Sequence, residues 1–136
     1  MTRLSILSLT FALLAATAVA QEAKPLAGAI TPEAVNLGRP VDFDKDILPI
    51  LENNCIACHN LGQQESKLNL EKLDTMIKGG KRGPSIVPKE PDKSLLYLVA
   101  SRSKGPAMPP LPNKVDAKAL TPKELGTLRQ WILEGA

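Results

Sequence analysis

Both cysteines of this chain and its only histidine lie within five consecutive residues. In the segment ENNCIACHN, Cys55 and Cys58 are separated by two residues, and His59 follows directly. Two thiols at this spacing, followed by an imidazole, match the attachment motif of a c-type haem. If residues 55–59 form a helical turn, the two sulfurs can form thioethers at one edge of a haem, and His59 can bind the iron as proximal ligand. The motif therefore predicts covalently bound haem c.

The same three residues are compatible with three alternatives to haem. A thiol–disulfide redox pair uses the same cysteine spacing, but it usually follows a strand in an α/β domain. A zinc site needs four ligands, so a carboxylate would have to join the two cysteines and the histidine. A chance match is the third alternative, because five residues form a short pattern. A structural disulfide is disfavoured, since the loop it would close is too short to stabilise the fold much.

The first 20 residues have the features of a secretory signal peptide. Arg3 precedes an apolar run over residues 4–14, and small residues at 18–20 mark a cleavage site after Ala20. The apolar run is short for a membrane span, so an uncleaved anchor is the less favoured alternative. We therefore expect an exported, periplasmic protein with no membrane span after cleavage of the signal peptide.

The size and charge of the remaining chain indicate one domain and do not indicate nucleic-acid binding. Without residues 1–20 the chain has 116 residues, enough for one modest domain. Arg3 is the only charge in the signal segment, so the mature chain has 16 basic and 14 acidic residues. This small excess does not indicate a nucleic-acid-binding protein.

The rest of the sequence predicts a small all-α domain with long loops. Residues 21–40 are rich in Ala, Pro and Gly without a sustained period and predict a flexible leader, followed by one domain over 41–136. Apolar residues at helical spacing predict four short helices. These are a helix over 43–52 with Asp42 as N-cap and a kink or restart at Pro49, a helix with Leu70, Leu73 and Ile77 on one face, a helix with Leu95, Leu98 and Val99 on one side, and a terminal helix.

The terminal helix has the clearest signals. Thr121 as N-cap, Pro122 as first helical residue and Glu124 form a capping box, and Leu120 and Leu125 are placed as a hydrophobic staple. Its predicted buried face is Leu125, Leu128, Trp131 and Ile132, and Gly135 can end it. Four short helices make a thin core, which usually needs a disulfide, metal or cofactor. We expect the first helix, the motif and the terminal helix to pack around a haem.

Two methionines of the mature chain are candidates for the sixth iron ligand, because His59 is the only histidine. Met76 follows His59 closely in an apolar helical pattern, where methionine is more often a core residue. Met108 lies in the segment KGPAMPPLP, whose prolines would hold the loop in place at low entropic cost. The span between His59 and Met108 is long enough for the chain to present sulfur from the opposite face of the haem. An apolar loop contact is the alternative role of Met108.

The order of these segments resembles the planctomycete-type cytochrome c domain. The resemblance extends over 41–136 and rests on VDFDKDILPILENNCIACHN, KLNLEKLDTMIKGG, GPSIVPKEPDKSLLYLV, MPP and LTPKELGTLRQWILEGA. It implies a cytochrome c-like helical domain wrapped around a haem held by Cys55 and Cys58. His59 and, by its position in the MPP element, Met108 would be the iron ligands.

Histidine and methionine ligation leaves no open position on the iron, which is typical of an electron carrier. We expect a non-enzymatic one-electron carrier that exchanges electrons with a donor and an acceptor protein. One alternative is a ligand-binding or peroxidatic haem protein in which Met108 does not bind the iron. Another is a haem subunit of a larger redox complex.

Overall fold

The computed structural model describes residues 28–136, which contain four α-helices joined by long loops. The helices are α1 (Leu48–Asn54), α2 (Leu73–Lys78), α3 (Leu95–Ala100) and α4 (Pro122–Glu134). A π-helical turn, Phe43–Ile47, precedes α1, and two short 3₁₀ turns span Glu65–Lys67 and Pro91–Lys93. No β-strand is present in this part of the chain, so the all-α prediction is confirmed there. The predicted signal peptide lies outside the described residues, as does the leader over 21–27.

The first helical segment begins and restarts where the sequence indicates. The Asp42 side chain caps it by accepting a hydrogen bond from the Lys45 amide at 2.9 Å. The π-helical turn ends with the Leu48 amide donating to the Phe43 carbonyl. Because Pro49 has no amide hydrogen to donate, the π pattern cannot continue through it, and α1 starts with this proline in its first turn. The predicted restart is therefore a change of helix type.

Helix α4 matches its prediction in its capping box, its buried face and its terminal glycine. Thr121 accepts a hydrogen bond from the Glu124 amide, and the Glu124 carboxylate accepts one from the Thr121 amide, which completes the capping box. The helix ends at Gly135, whose φ of 119° lies in the left-handed region that glycine adopts without strain. The predicted face is buried, and the Trp131 ring packs on Phe43 with centroids 5.6 Å apart.

Helix α2 is shorter than its pattern suggests, and its buried face differs. Leu70 is buried but lies before the helix, and Ile77 is 42% exposed. The buried residue of the helix is Met76, so the prediction of Leu70, Leu73 and Ile77 as one helical face is wrong. Leu70 and Leu73 are three residues apart, as on a helix face, although only Leu73 belongs to the helix. The spacing arises because the segment before the helix and the helix itself both contribute to the core.

The segment before Val41 is attached to the domain. The Ile30 amide donates to the Ser101 carbonyl and the Glu33 amide donates to the Pro122 carbonyl, both at 2.8 Å. The Glu33 carbonyl in turn lies directly over Gly126 of α4, where a Cβ atom would collide with it. We call residues 28–37 the strap. The strap contains no helix or strand, but its contacts correct the prediction of a free leader for this part of 21–40.

The core lies where α4 packs against the first helical segment and α3. Its fully buried side chains come from every helix except α3 and from the loop residues between them: Ile47, Leu51, Leu70, Met76, Ile86, Leu125, Leu128 and Ile132. Helix α3 adds Leu96 and Tyr97, which are also buried. This packing leaves the other side of α3 and the end of α1 to border a cavity.

Candidate functional site

A large cavity, partly open to solvent, lies between the end of α1, helix α3 and the proline-rich loop before α4. Together with the part that is open to solvent, it spans about 930 Å³ of space. Its lining comes from the segments 54–59, 66–70, 82–85, 95–99 and 106–117. Helix α4 contributes no lining residue, so the expectation that the terminal helix packs around a bound haem is wrong for this cavity.

The Cys-x-x-Cys-His motif follows α1 as a tight turn on the cavity wall. Cys55 is the C-cap residue of α1, and its carbonyl accepts hydrogen bonds from the amides of Cys58 at 3.2 Å and His59 at 3.1 Å. Because α1 ends one residue before the motif, the expected helical turn forms at the end of a helix. The turn folds the backbone so that Cys55, Cys58 and His59 all line the same cavity.

The two thiols have different surroundings. Burial raises the pKa of the Cys55 thiol to about 12, with smaller contributions from the charge of Glu124 and from Cys58. A thiol in this environment stays protonated near neutral pH and is a poor ligand for a metal ion. Both thiols are free, and both are only partly exposed. The environment of Cys55 therefore disfavours a metal thiolate.

The His59 ring has unmet bonding capacity. Its Nδ1 atom is buried and has no hydrogen-bond partner among the described residues. A buried ring nitrogen without a partner costs on the order of 1–3 kcal/mol, so a missing partner should be sought. An imidazole nitrogen is a common ligand of haem iron, and this ring lines the cavity, so the donor type of His59 fits iron ligation. In that role the second ring nitrogen usually donates to a neighbouring acceptor, and the described residues offer none to Nδ1.

Met108 lines the same cavity as the thiols and His59. Its backbone amide donates to the Val99 carbonyl of α3 at 3.0 Å, which ties the proline-rich loop to the helix bordering the cavity. Met76, the other candidate sulfur, is fully buried in the core and does not line the cavity. The structure therefore brings together the four residues that the sequence singles out, Cys55, Cys58, His59 and Met108.

Two polar residues of the lining lie outside the motif, and the sequence indicates only one of them, Arg82, as part of a basic stretch without acidic residues. Within residues 28–136, Arg82 is the only charged residue that lines the cavity, and it is presented by a glycine turn in which Gly80 and Gly83 exchange backbone hydrogen bonds. The turn is fixed to the adjoining loop by the Lys81 amide, which donates to the Ser66 carbonyl at 2.8 Å. Asn113 lines the cavity from the proline-rich loop. Neither residue belongs to a motif, and only the paths of their loops place them here.

Two aromatic residues contribute to the core and not to the cavity. Tyr97 and Trp131 are both buried in the core, and neither lines the cavity.

Among residues 28–136 no group of three or more His, Cys, Asp and Glu side chains is arranged to hold a metal ion, as a zinc site would require. None of the helices formed by these residues is long and apolar enough to cross a membrane.

Comparison with known proteins identifies one family. Residues 55–112 match the family model described as planctomycete cytochrome C. The match begins at Cys55 and includes His59 and Met108, so the resemblance noted in the sequence is confirmed over this range. The wider resemblance over 41–136 stays a prediction. No curated protein and no solved structure matches the chain significantly.

Proposed function

We propose that this protein, whose residues 55–112 match the planctomycete cytochrome C family, is an exported one-electron carrier with covalently bound haem c. One observation carries the proposal: two thiols, one imidazole and one thioether line a single, mostly apolar cavity. A haem bound there would supply reversible oxidation and reduction of its iron. The residues of the chain would hold it, fix its ligands and limit access of other molecules.

The motif supports attachment and proximal ligation. Cys55 and Cys58 would form the two thioethers, and the turn that joins them leaves His59 directed to the same cavity.

Met108 supports electron transfer over ligand binding. A thioether on the sixth position occupies the site that oxygen, peroxide or carbon monoxide would need, and it raises the reduction potential relative to a second histidine. Met108 is tied to α3 through its amide, which holds the sulfur-bearing residue at the cavity. The position of this residue favours the carrier over a peroxidatic or gas-binding protein.

Arg82 supports a specific orientation of the cofactor. Haem carries two carboxylates, and a charge is best accommodated beside a counter-charge. The glycine turn that presents Arg82 also borders a smaller side cleft, whose lining includes neither thiol nor Met108. Arg82 would therefore pair with a haem carboxylate away from the thioether edge.

Location and partners follow from the same proposal. The signal-peptide pattern over residues 1–20 supports export to the periplasm. In that compartment the protein would exchange electrons with a donor and an acceptor protein. Lys78, Lys81, Arg82 and Lys89 are exposed and have no acidic neighbour between Thr75 and Lys89 in sequence. These charges would favour redox partners with acidic surfaces.

Covalent attachment can be tested by removing the thiols after maturation in a haem-attaching periplasm. Cys55→Ala and Cys58→Ala should each retain haem through one thioether and show a shifted reduced absorption band. The double variant should lose its haem in a denaturing gel stained for haem. Ser66→Ala, which changes another residue of the cavity lining, should retain fully attached haem.

Wild-type protein should cycle reversibly by one electron and bind carbon monoxide slowly or not at all when reduced. Haem that leaves the denatured wild-type chain would contradict covalent attachment. Rapid stoichiometric binding of carbon monoxide would contradict the carrier and favour the ligand-binding alternative.

A further inference from the structure

The loop that carries Met108 has few ways to hold its shape. Its prolines at 106, 109, 110 and 112 have no amide hydrogen, so they cannot donate to a neighbouring backbone. Residues 109–120 make no backbone-to-backbone hydrogen bond with the described part of the chain. Upstream, the Met108 amide bond to Val99 fixes one point of the loop. Another group must fix the segment that follows.

Asn113 supplies all the hydrogen bonds found within residues 109–120. Its Nδ2 atom donates to the carbonyls of Pro110 at 3.0 Å and Ala117 at 2.7 Å. Its Oδ1 atom accepts from the amides of Val115 at 3.1 Å and Ala117 at 3.0 Å. These four bonds use both donor hydrogens and both acceptor lone pairs of the carboxamide. The orientation of the side chain is therefore fixed by its partners.

The position of this side chain connects it to the cavity. Asn113 joins Pro110, two residues after Met108, to the buried Ala117, and all three residues line the cavity. The loop is thus closed on itself immediately downstream of the proposed ligand. Without the carboxamide, the amide bond of Met108 to Val99 would be the last hydrogen bond of the loop before Thr121 among the described residues.

We propose that Asn113 is the positioning residue for the Met108 sulfur, setting how strongly the sixth position is held against competing ligands. This inference rests on the proposed ligation of haem iron by Met108. Asn113 acts through the loop backbone and need not touch the cofactor. Its loss leaves the thioether present but free to leave the iron, so competing ligands gain access.

The test is the affinity of the oxidised protein for added imidazole, which must displace the methionine to bind. In Asn113→Ala we expect imidazole to bind about tenfold more tightly than in wild type, since several hydrogen bonds that hold the loop are lost. Asn113→Asp keeps the acceptor oxygens and loses the donors, so its affinity should lie between the two. The far-red sulfur-to-iron absorption band should disappear at lower pH in Asn113→Ala than in wild type.

Ser94→Ala is the matched control. The Ser94 hydroxyl makes three hydrogen bonds to backbone atoms of Val87 and Glu90, and none of these three residues lines the cavity. This variant should leave imidazole affinity close to that of wild type, even though it also removes several bonds to the backbone. An equal increase in both alanine variants would overturn the inference, because it would indicate general loosening of the fold.

The inference and the proposed function can fail separately. If wild type shows the far-red band and Asn113→Ala binds imidazole as wild type does, Asn113 is not the positioning residue, while methionine ligation stands. If wild type lacks the band and Met108→Ala binds imidazole equally well, the proposed ligation fails, and the inference fails with it.

Discussion

At the scale of single residues, Arg82 places a positive charge at the edge of a mostly apolar cavity. Reduction of haem iron adds one negative charge to the cofactor. A nearby cation therefore favours the reduced state, by an amount that salt and water around the exposed guanidinium reduce. Arg82 should act on the reduction potential as well as on the orientation of the haem carboxylates.

Replacing Arg82 with glutamine should lower the reduction potential by an amount on the order of tens of millivolts. Potentiometric titration at fixed pH and low salt measures this change. Lys81→Gln is the control, since it removes the same charge from the adjacent residue, which does not line the main cavity. Arg82→Lys should have a reduction potential close to that of wild type, because it keeps the positive charge. Equal decreases in Arg82→Gln and Lys81→Gln would show that general surface charge, and not the position of Arg82, sets the effect.

The residues of the site differ in how far sequence could identify them. Cys55, Cys58 and His59 form a contiguous motif, so spacing alone predicts their shared location. Met108 could be predicted from the absence of a second histidine and the stiffness of its loop. Asn113 could not be predicted, and Arg82 could be predicted only as one of several basic residues in its segment, because each reaches the cavity through a loop whose path depends on distant contacts.

At the scale of secondary structure, the strap and helix α4 depend on each other. The Glu33 amide donates to Pro122 at the start of α4, and the Glu33 carbonyl lies against Gly126 in the same helix. Glycine inside a helix costs about 1 kcal/mol relative to alanine. The absence of a Cβ at this position allows the strap to approach the helix backbone.

Gly126→Ala should therefore destabilise the full chain, by about 1–3 kcal/mol, because the new Cβ collides with the Glu33 carbonyl. Denaturant unfolding measures this loss. In a chain from which residues 28–37 are deleted, the same substitution should stabilise by up to about 1 kcal/mol through helix propensity. A stabilising effect in both chains would mean that the strap does not pack on Gly126.

The same elements show which local signals suffice for prediction. Helix α4 contains its own cap, first-turn proline and terminal glycine, so its bounds follow from neighbouring residues. Helix α2 has no side-chain cap, and its buried residues combine with Leu70 from outside the helix. The strap contains no periodic pattern, and its attachment depends on a glycine almost a hundred residues later in the sequence.

At the scale of the whole molecule, three of the four helices have only six or seven residues. Helices this short are not stable alone in water and depend on packing. The core joins α4 to the first helical segment, while the motif, Arg82 and the Met108 loop lie on the cavity side. A covalently held haem would bury apolar surface on that side and link segments that otherwise share few contacts. The thin core predicted from the sequence indicates that the fold needs a disulfide, metal or cofactor. The sequence does not predict that α4 lies away from the cavity.

The central claim is that His59 and Met108 complete the coordination of a covalently held haem. The most direct test is the absorption spectrum of oxidised and reduced wild-type protein, matured in a haem-attaching periplasm, beside that of Met108→Ala. We predict a low-spin spectrum with a far-red sulfur-to-iron band in the oxidised wild type, and loss of that band in the variant. A high-spin wild-type spectrum, or a variant indistinguishable from wild type, would contradict this coordination and favour a ligand-binding haem protein.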